Sequence, residues 1–156
     1  MKSWMKLLIS VIGCELVGVL SALFTISGIK DWYLYLNKPF FAPPNWIFGP
    51  AWTTLYFLMG VAIYLIWTQD QKKKKVKMAV QFFLAQLAVN FIWSPIFFGL
   101  RAPALGLVTI LVMWGLVFMT MKKFYPISKP AFYLLVPYIA WVSFATLLNA
   151  AIVVLN

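Results

Sequence analysis

WYLYLNKPFFAPPNWIFGPAWTTLYFLMG, residues 32–60, starts at the end of the first long apolar run and leads into the second. It holds three Trp, three Tyr, four Phe and four Pro. Each large aromatic side chain left in water forfeits about 1.5–3 kcal/mol of burial, which disfavours a solvated loop of this composition. Pro39, Pro43, Pro44 and Pro50 stiffen the segment, and neither a helix nor a strand forms easily through Pro43-Pro44. A rigid, aromatic, non-helical segment beside apolar helices lies in a membrane interface or caps a cavity. The function is expected there.

Outside this segment the composition fixes the class. The 156 residues are 64% hydrophobic and 10% charged, with a mean hydropathy of +0.92, far more apolar than an ordinary soluble domain. Five apolar runs, at about 5–26, 46–68, 78–98, 103–121 and 131–155, reach the length needed to cross about 30 Å of hydrocarbon as helices. They lack the period-2 alternation of barrel strands. The expected fold is an all-α integral membrane protein, one domain over residues 1–156, built as a five-transmembrane-helix bundle. Loop one, at 27–45, is the long connection. The first run follows Lys2 and Lys6 in the manner of a signal peptide, but its apolar stretch is long, contains Glu15 and lacks a small-x-small cleavage site. It reads as a retained helix.

Charge placement gives the orientation. With five spans, Lys2, Lys6, Lys72, Lys73, Lys74, Lys75, Lys77, Lys122, Lys123 and Lys129 share one side, ten of the thirteen basic residues. Lys30, Lys38 and Arg101 lie on the other. The positive-inside rule then puts the N-terminal residues in the cytoplasm and loop one on the opposite side of what is expected to be a bacterial cell membrane. The net charge of +10 is thereby assigned to topology and anionic lipid, not to nucleic acid.

The residues that are missing narrow the chemistry. No histidine is present, Cys14 is the lone cysteine, and there are three acids, of which Asp31 and Asp70 fall between spans. That removes His-based metal sites, Ser–His and Cys–His nucleophile pairs and paired carboxylates, and no metal site is expected. Glu15 is the costly residue, because an ionised carboxylate near mid-span costs about 2.5–3.5 kcal/mol even on a lenient scale. It reads either as a ligand or proton contact, or as a packing residue partnered by Gln86, Asn90 or a Ser/Thr. Cys14, Gly18 and Ala22 repeat at four-residue spacing, a small-residue stripe suited to close helix contact within the bundle or between protomers. Helical spacing sets Trp52, Tyr56, Met59, Gly60 and Ile63 on one face of the second span. It does the same for Gln86, Asn90, Trp93 and Phe97 on the third, and for Tyr138, Trp141, Ala145, Leu148 and Asn149 on the fifth. Amides in hydrocarbon turn to the bundle interior. Pro95 and Pro137 are expected to kink the third and fifth spans.

Three motifs carry a family resemblance. WYxxLxKPxFxPPxWxFxPxWxxLYxxMG (32–60), NxxWSxxFF (90–98) and PYxxWxxFAxxLN (137–149) resemble the translocator protein family, also called TspO, the tryptophan-rich sensory protein or the peripheral benzodiazepine receptor. The resemblance runs through essentially the whole chain. It implies a five-helix bundle, often a homodimer, with a ligand pocket roofed by loop one. It also implies binding of porphyrins, protoporphyrin IX and haem among them, and of isoquinoline-type small molecules. Carried onto matching positions, the pocket would include Tyr33, Pro43, Phe48, Trp52, Tyr56, Asn90, Trp93, Ser94, Trp141, Ala145 and Leu148. Sterol is not implied, since nothing basic follows Lys129 where the animal sterol motif requires Lys or Arg.

The chemistry of a porphyrin suits these residues. It is a flat apolar disc with acidic propionates on one edge, so aromatic walls would bury it while Lys38 and Arg101, with Lys30 behind them, are candidates to pair with propionates. Without histidine to ligate iron, metal-free porphyrins are favoured. No cofactor is required. The expected role is tetrapyrrole transport, sensing or stress regulation. The alternative is an enzyme that degrades the porphyrin in light and oxygen, with Trp52 and Trp141 as the oxidisable side chains.

Overall fold

A chain in hydrocarbon must satisfy its backbone polar groups internally, which leaves helices for runs of this kind. The computed structural model, covering residues 1–156, places them at α1 (Ser3–Asp31), α2 (Phe48–Trp67), α3 (Lys74–Ser94), α4 (Pro103–Phe124), α5 (Lys129–Leu134) and α6 (Val136–Leu155). There are no strands, and five helical segments are long and apolar enough to cross a membrane, the fifth being α5 and α6 together. α1 runs five residues past the apolar stretch read from the sequence. Gly28 allows this by lying against Phe98, where any Cβ would come within 2.5 Å of that side chain. Loop one is therefore shorter than its sequence suggested, and it carries two single helical turns, Tyr33–Tyr35 and Asn45–Ile47.

Both internal prolines interrupt their spans, in different ways. Pro95 lacks an N–H, and α3 responds by widening into a π-helical turn, Pro95–Gly99, closed by the Leu100 N–H donating to the Pro95 carbonyl at 2.8 Å. The extra residue per turn lets consecutive Phe97 and Phe98 both face inward, each nearly inaccessible. Pro137 instead falls in the first turn of α6, where its missing donor costs nothing, and the fifth span breaks at Leu135.

Around the bundle the order is first, second, fifth, fourth, third span, with α3 closing the ring against α1. α1 and α2 touch most closely at Gly60, where an added Cβ would sit 2.6 Å from the Val11 Cα. One end of the bundle gathers Lys6 over the Trp67 ring, Lys123 over Phe82 and Lys129 over Tyr125. Lys74, Lys75 and Lys77 open α3 with no acid in its first turn, against the helix dipole. Anionic headgroups would offset that penalty. Loop one occupies the opposite end, held down where the Asn37 N–H donates to Asn156 Oδ1 at 3.1 Å and Asn156 Nδ2 donates back to the Asn37 carbonyl at 2.9 Å.

Candidate functional site

Mid-bundle polar residues are expensive, and four of these form one directed chain. The Tyr56 hydroxyl donates to Asn90 Oδ1 at 2.7 Å, and Asn90 Nδ2 donates to the Tyr138 oxygen at 2.6 Å. Tyr138 in turn donates to Gln86 Oε1 at 2.7 Å, and Gln86 Nε2 points at the Met59 sulfur at 3.8 Å. All four are buried. The amides of α3 thus find tyrosines from α2 and α6, and not Glu15, as their partners. This pins the second, third and fifth spans together below the loop-one end.

Above this chain the aromatic side chains crowd. Trp52 and Trp141 meet edge to face at 6.4 Å between ring centroids, and Phe48 meets Trp141 at 6.2 Å. Trp93 stacks on Phe97 at 5.1 Å and donates its Nε1–H to Asn149 Oδ1 at 3.3 Å. Two cavities remain between these rings. The larger, about 350 Å³, is bounded by α1 from Glu15 to Ile29, by the start of α2 and by Asn90, Trp93 and Ser94 of α3. The smaller, about 40 Å³, lies under Tyr33 among Trp141, Ala145, Leu148 and the inward Phe97 and Phe98. They share Thr25, Phe48, Trp52 and Trp93 as lining residues and are neighbours.

Ten of the residues named from the motifs line one cavity or both. Tyr56, Asn90 and Ser94 face the larger; Tyr33, Trp141, Ala145 and Leu148 the smaller; Phe48, Trp52 and Trp93 both. Pro43 lines neither and is a half-buried part of the roof. Lys38 and Arg101 also stand outside both cavities. The Lys38 ammonium is spent on loop one, donating to the Tyr33, Leu34 and Leu36 carbonyls at 2.9, 3.4 and 3.3 Å while lying 4.9 Å from the Tyr33 ring centroid. It folds the roof. Arg101 is exposed, with φ at 53° in the left-handed region, and terminates the third span.

Three buried polar atoms have no partner: Tyr33 Oη, Trp141 Nε1 and Ser21 Oγ. Such groups are rare in folded proteins and mark places where something else supplies the hydrogen bond. Tyr33 and Trp141 line the smaller cavity, Ser21 the larger. Burial pushes the Tyr33 hydroxyl up to about 12, so it remains a neutral donor throughout the physiological range. Sequence reading missed the α1 wall. Its signal was the small-residue stripe: Gly18 lets the Tyr56 ring approach to where a Cβ would lie within 2.5 Å of it, and Ala22 leaves the cavity open beyond.

Comparison with known proteins bears on this geometry. Residues 10–155 match the model of the TspO/MBR family. A tryptophan-rich protein TspO of Archaeoglobus fulgidus is 43% identical over 153 residues, covering 97% of each chain. Another tryptophan-rich protein TspO, from Chlorobaculum tepidum, is 43% identical over 92% of this chain and 90% of its own. The translocator protein of Bos taurus is 39% identical over 86% of this chain and 80% of its own.

Proposed function

This chain belongs to the TspO/MBR family, and on that premise we propose that it binds porphyrins, protoporphyrin IX foremost, in the aromatic space beneath loop one. The observation that carries the reading is the pair of neighbouring cavities that share the Phe48, Trp52 and Trp93 rings. A flat macrocycle entering between Phe48, Trp52 and Trp93 would replace ring-to-ring contacts with ring-to-porphyrin contacts of the same kind. The orphaned Tyr33 hydroxyl and Trp141 N–H are donors at the loop-one end, placed to receive propionate oxygens. They are better situated for this than Lys38, which holds the roof. Binding would serve tetrapyrrole transport or sensing at the membrane. The reading is tested by adding protoporphyrin IX to protein in lipid nanodiscs. A shifted, narrowed Soret band relative to empty nanodiscs supports it, and identical spectra refute it.

The orientation proposed is lysine end in the cytoplasm, loop one outside. Phe40 is fully exposed in loop one and Lys72 is exposed between α2 and α3, while the native Cys14 is buried. An impermeant maleimide added outside intact cells should label Phe40→Cys and spare Lys72→Cys. Labelling of both from one side would dismantle the topology.

The contact between Trp52 and Trp141 favours a second reading, in which bound porphyrin acts as photosensitiser and oxygen as oxidant for its own breakdown beside two oxidisable indoles. Trp→Phe at either position keeps most of the apolar surface. Porphyrin absorbance under illumination, at matched occupancy, should then decay more slowly in both variants than in wild type. Equal decay in all three, or in lipid without protein, would leave a binding protein alone.

A further inference from the structure

The larger cavity has a charge character of its own. Its single ionisable carboxyl is Glu15, and no Lys or Arg lines it. Glu15 is half-buried about midway along α1, and the Gln86 and Asn90 amides that could have served it are committed to Tyr138 and Tyr56. A carboxylate at that depth without a partner inside the protein is a functional site by default. Five aromatic side chains, Trp46, Phe48, Trp52, Tyr56 and Trp93, line the same cavity along its length. Ser21, more than nine-tenths buried, lines the same cavity beside Tyr56. α1 and α2 are in contact at Val11 and Gly60 and again at Gly18 and Tyr56, and Val19 and Ile26, which line the cavity, are more than half exposed. The cleft therefore opens sideways, into the hydrocarbon.

A cavity with one carboxyl, no basic residue and aromatic walls has the recognition chemistry of an organic cation, attracted by the ring quadrupoles and neutralised by the acid. We propose that this cleft binds a lipophilic organic cation, a quaternary or protonated amine on an apolar body, taken laterally from the bilayer with Glu15 as counter-ion. The site shares Phe48, Trp52 and Trp93 with the porphyrin site but does not depend on it. A bound cation and a bound porphyrin should compete.

Tetraphenylphosphonium and tetraphenylborate test this, being nearly the same shape with opposite charge. Each is titrated onto protein in nanodiscs, with empty nanodiscs subtracted, and the saturable part of tryptophan quenching is read. Saturable binding is expected for the cation and not for the anion, although the protein's net charge of +10 favours the anion. Glu15→Gln should weaken the cation at least tenfold, and Glu15→Asp should retain most of the affinity. The size-exclusion profile and thermal unfolding of Glu15→Gln, compared with wild type, show whether the variant is folded. Saturable anion binding as tight as the cation's, or unchanged cation binding in Glu15→Gln, overturns the proposal. If Glu15→Gln fails to fold, the ion pair on wild type decides alone. Cation binding without any porphyrin binding would refute the porphyrin reading and leave this one standing.

Discussion

Trp52→Ala is expected to weaken porphyrin binding by about 1–2 kcal/mol, roughly five- to thirtyfold in Kd, since it removes a large aromatic wall at the centre of the site. Trp52 is the sharpest choice because it lines both cavities and touches Tyr56 and Trp141. Trp67→Ala supplies the comparison. It deletes the same ring from the same helix, but at the lysine end, where the ring sits beneath Lys6. Porphyrin affinity should move less than twofold there. Equal losses in the two variants, measured by direct titration in nanodiscs, would mean that the tryptophans serve packing and not a ligand.

Asn90→Leu is expected to produce the largest loss of stability. Two hydrogen bonds disappear at once, one accepted from Tyr56 and one donated to Tyr138, and the Tyr56 hydroxyl loses its acceptor. Leu keeps the heavy-atom branching of Asn but is bulkier, so a packing cost adds to the electrostatic one, which is about 1–3 kcal/mol for one orphaned buried donor. Hydrogen bonds between transmembrane helices average about 0.6 kcal/mol, which places the expectation in the lower half of that range. Tyr56→Phe in the Asn90→Leu background should recover part of the loss, because no orphan then remains. Thermal unfolding in detergent checks both. A double variant less stable than Asn90→Leu would show that the hydroxyl has found another partner.

The sequence exposed the bundle more fully than the site. Long apolar runs, lysines at alternate boundaries and short loops leave no alternative to five antiparallel spans. The inward faces of the second, third and fifth spans were legible too, since Tyr56, Asn90 and Tyr138 fall on stripes of helical spacing. Which hydroxyl meets which amide was not, because it depends on the order of helices around the ring, and Glu15 was a plausible partner until α2 and α6 supplied tyrosines. Pro95 announced an interruption but not its form. A π-helical turn is chosen by what it buries, here Phe97 and Phe98 together. The positive charges of loop one were legible as charges, not as contacts. Lys38 turns back on its own loop because three carbonyls lie within reach of a flexible stem. The cleft along α1 was hidden for a different reason. An opening is made by small side chains and by the packing of two helices, and composition records neither.

Whether a porphyrin binds under loop one, as proposed, can be read from photo-oxidation of the protein. In air, illuminated porphyrin sensitises oxygen, which oxidises the nearest tryptophans fastest, and peptide mapping by mass spectrometry ranks them by rate. With about one protoporphyrin IX per chain, oxidation is expected first at Trp52, Trp93 and Trp141, the half-buried tryptophans that line the cavities. Trp4 and Trp114, 58% and 37% exposed but on neither cavity wall, should lag. Oxidation that follows exposure instead, with Trp4 ahead of Trp52 and Trp141, would place the porphyrin in the surrounding lipid and contradict a binding site beneath the loop.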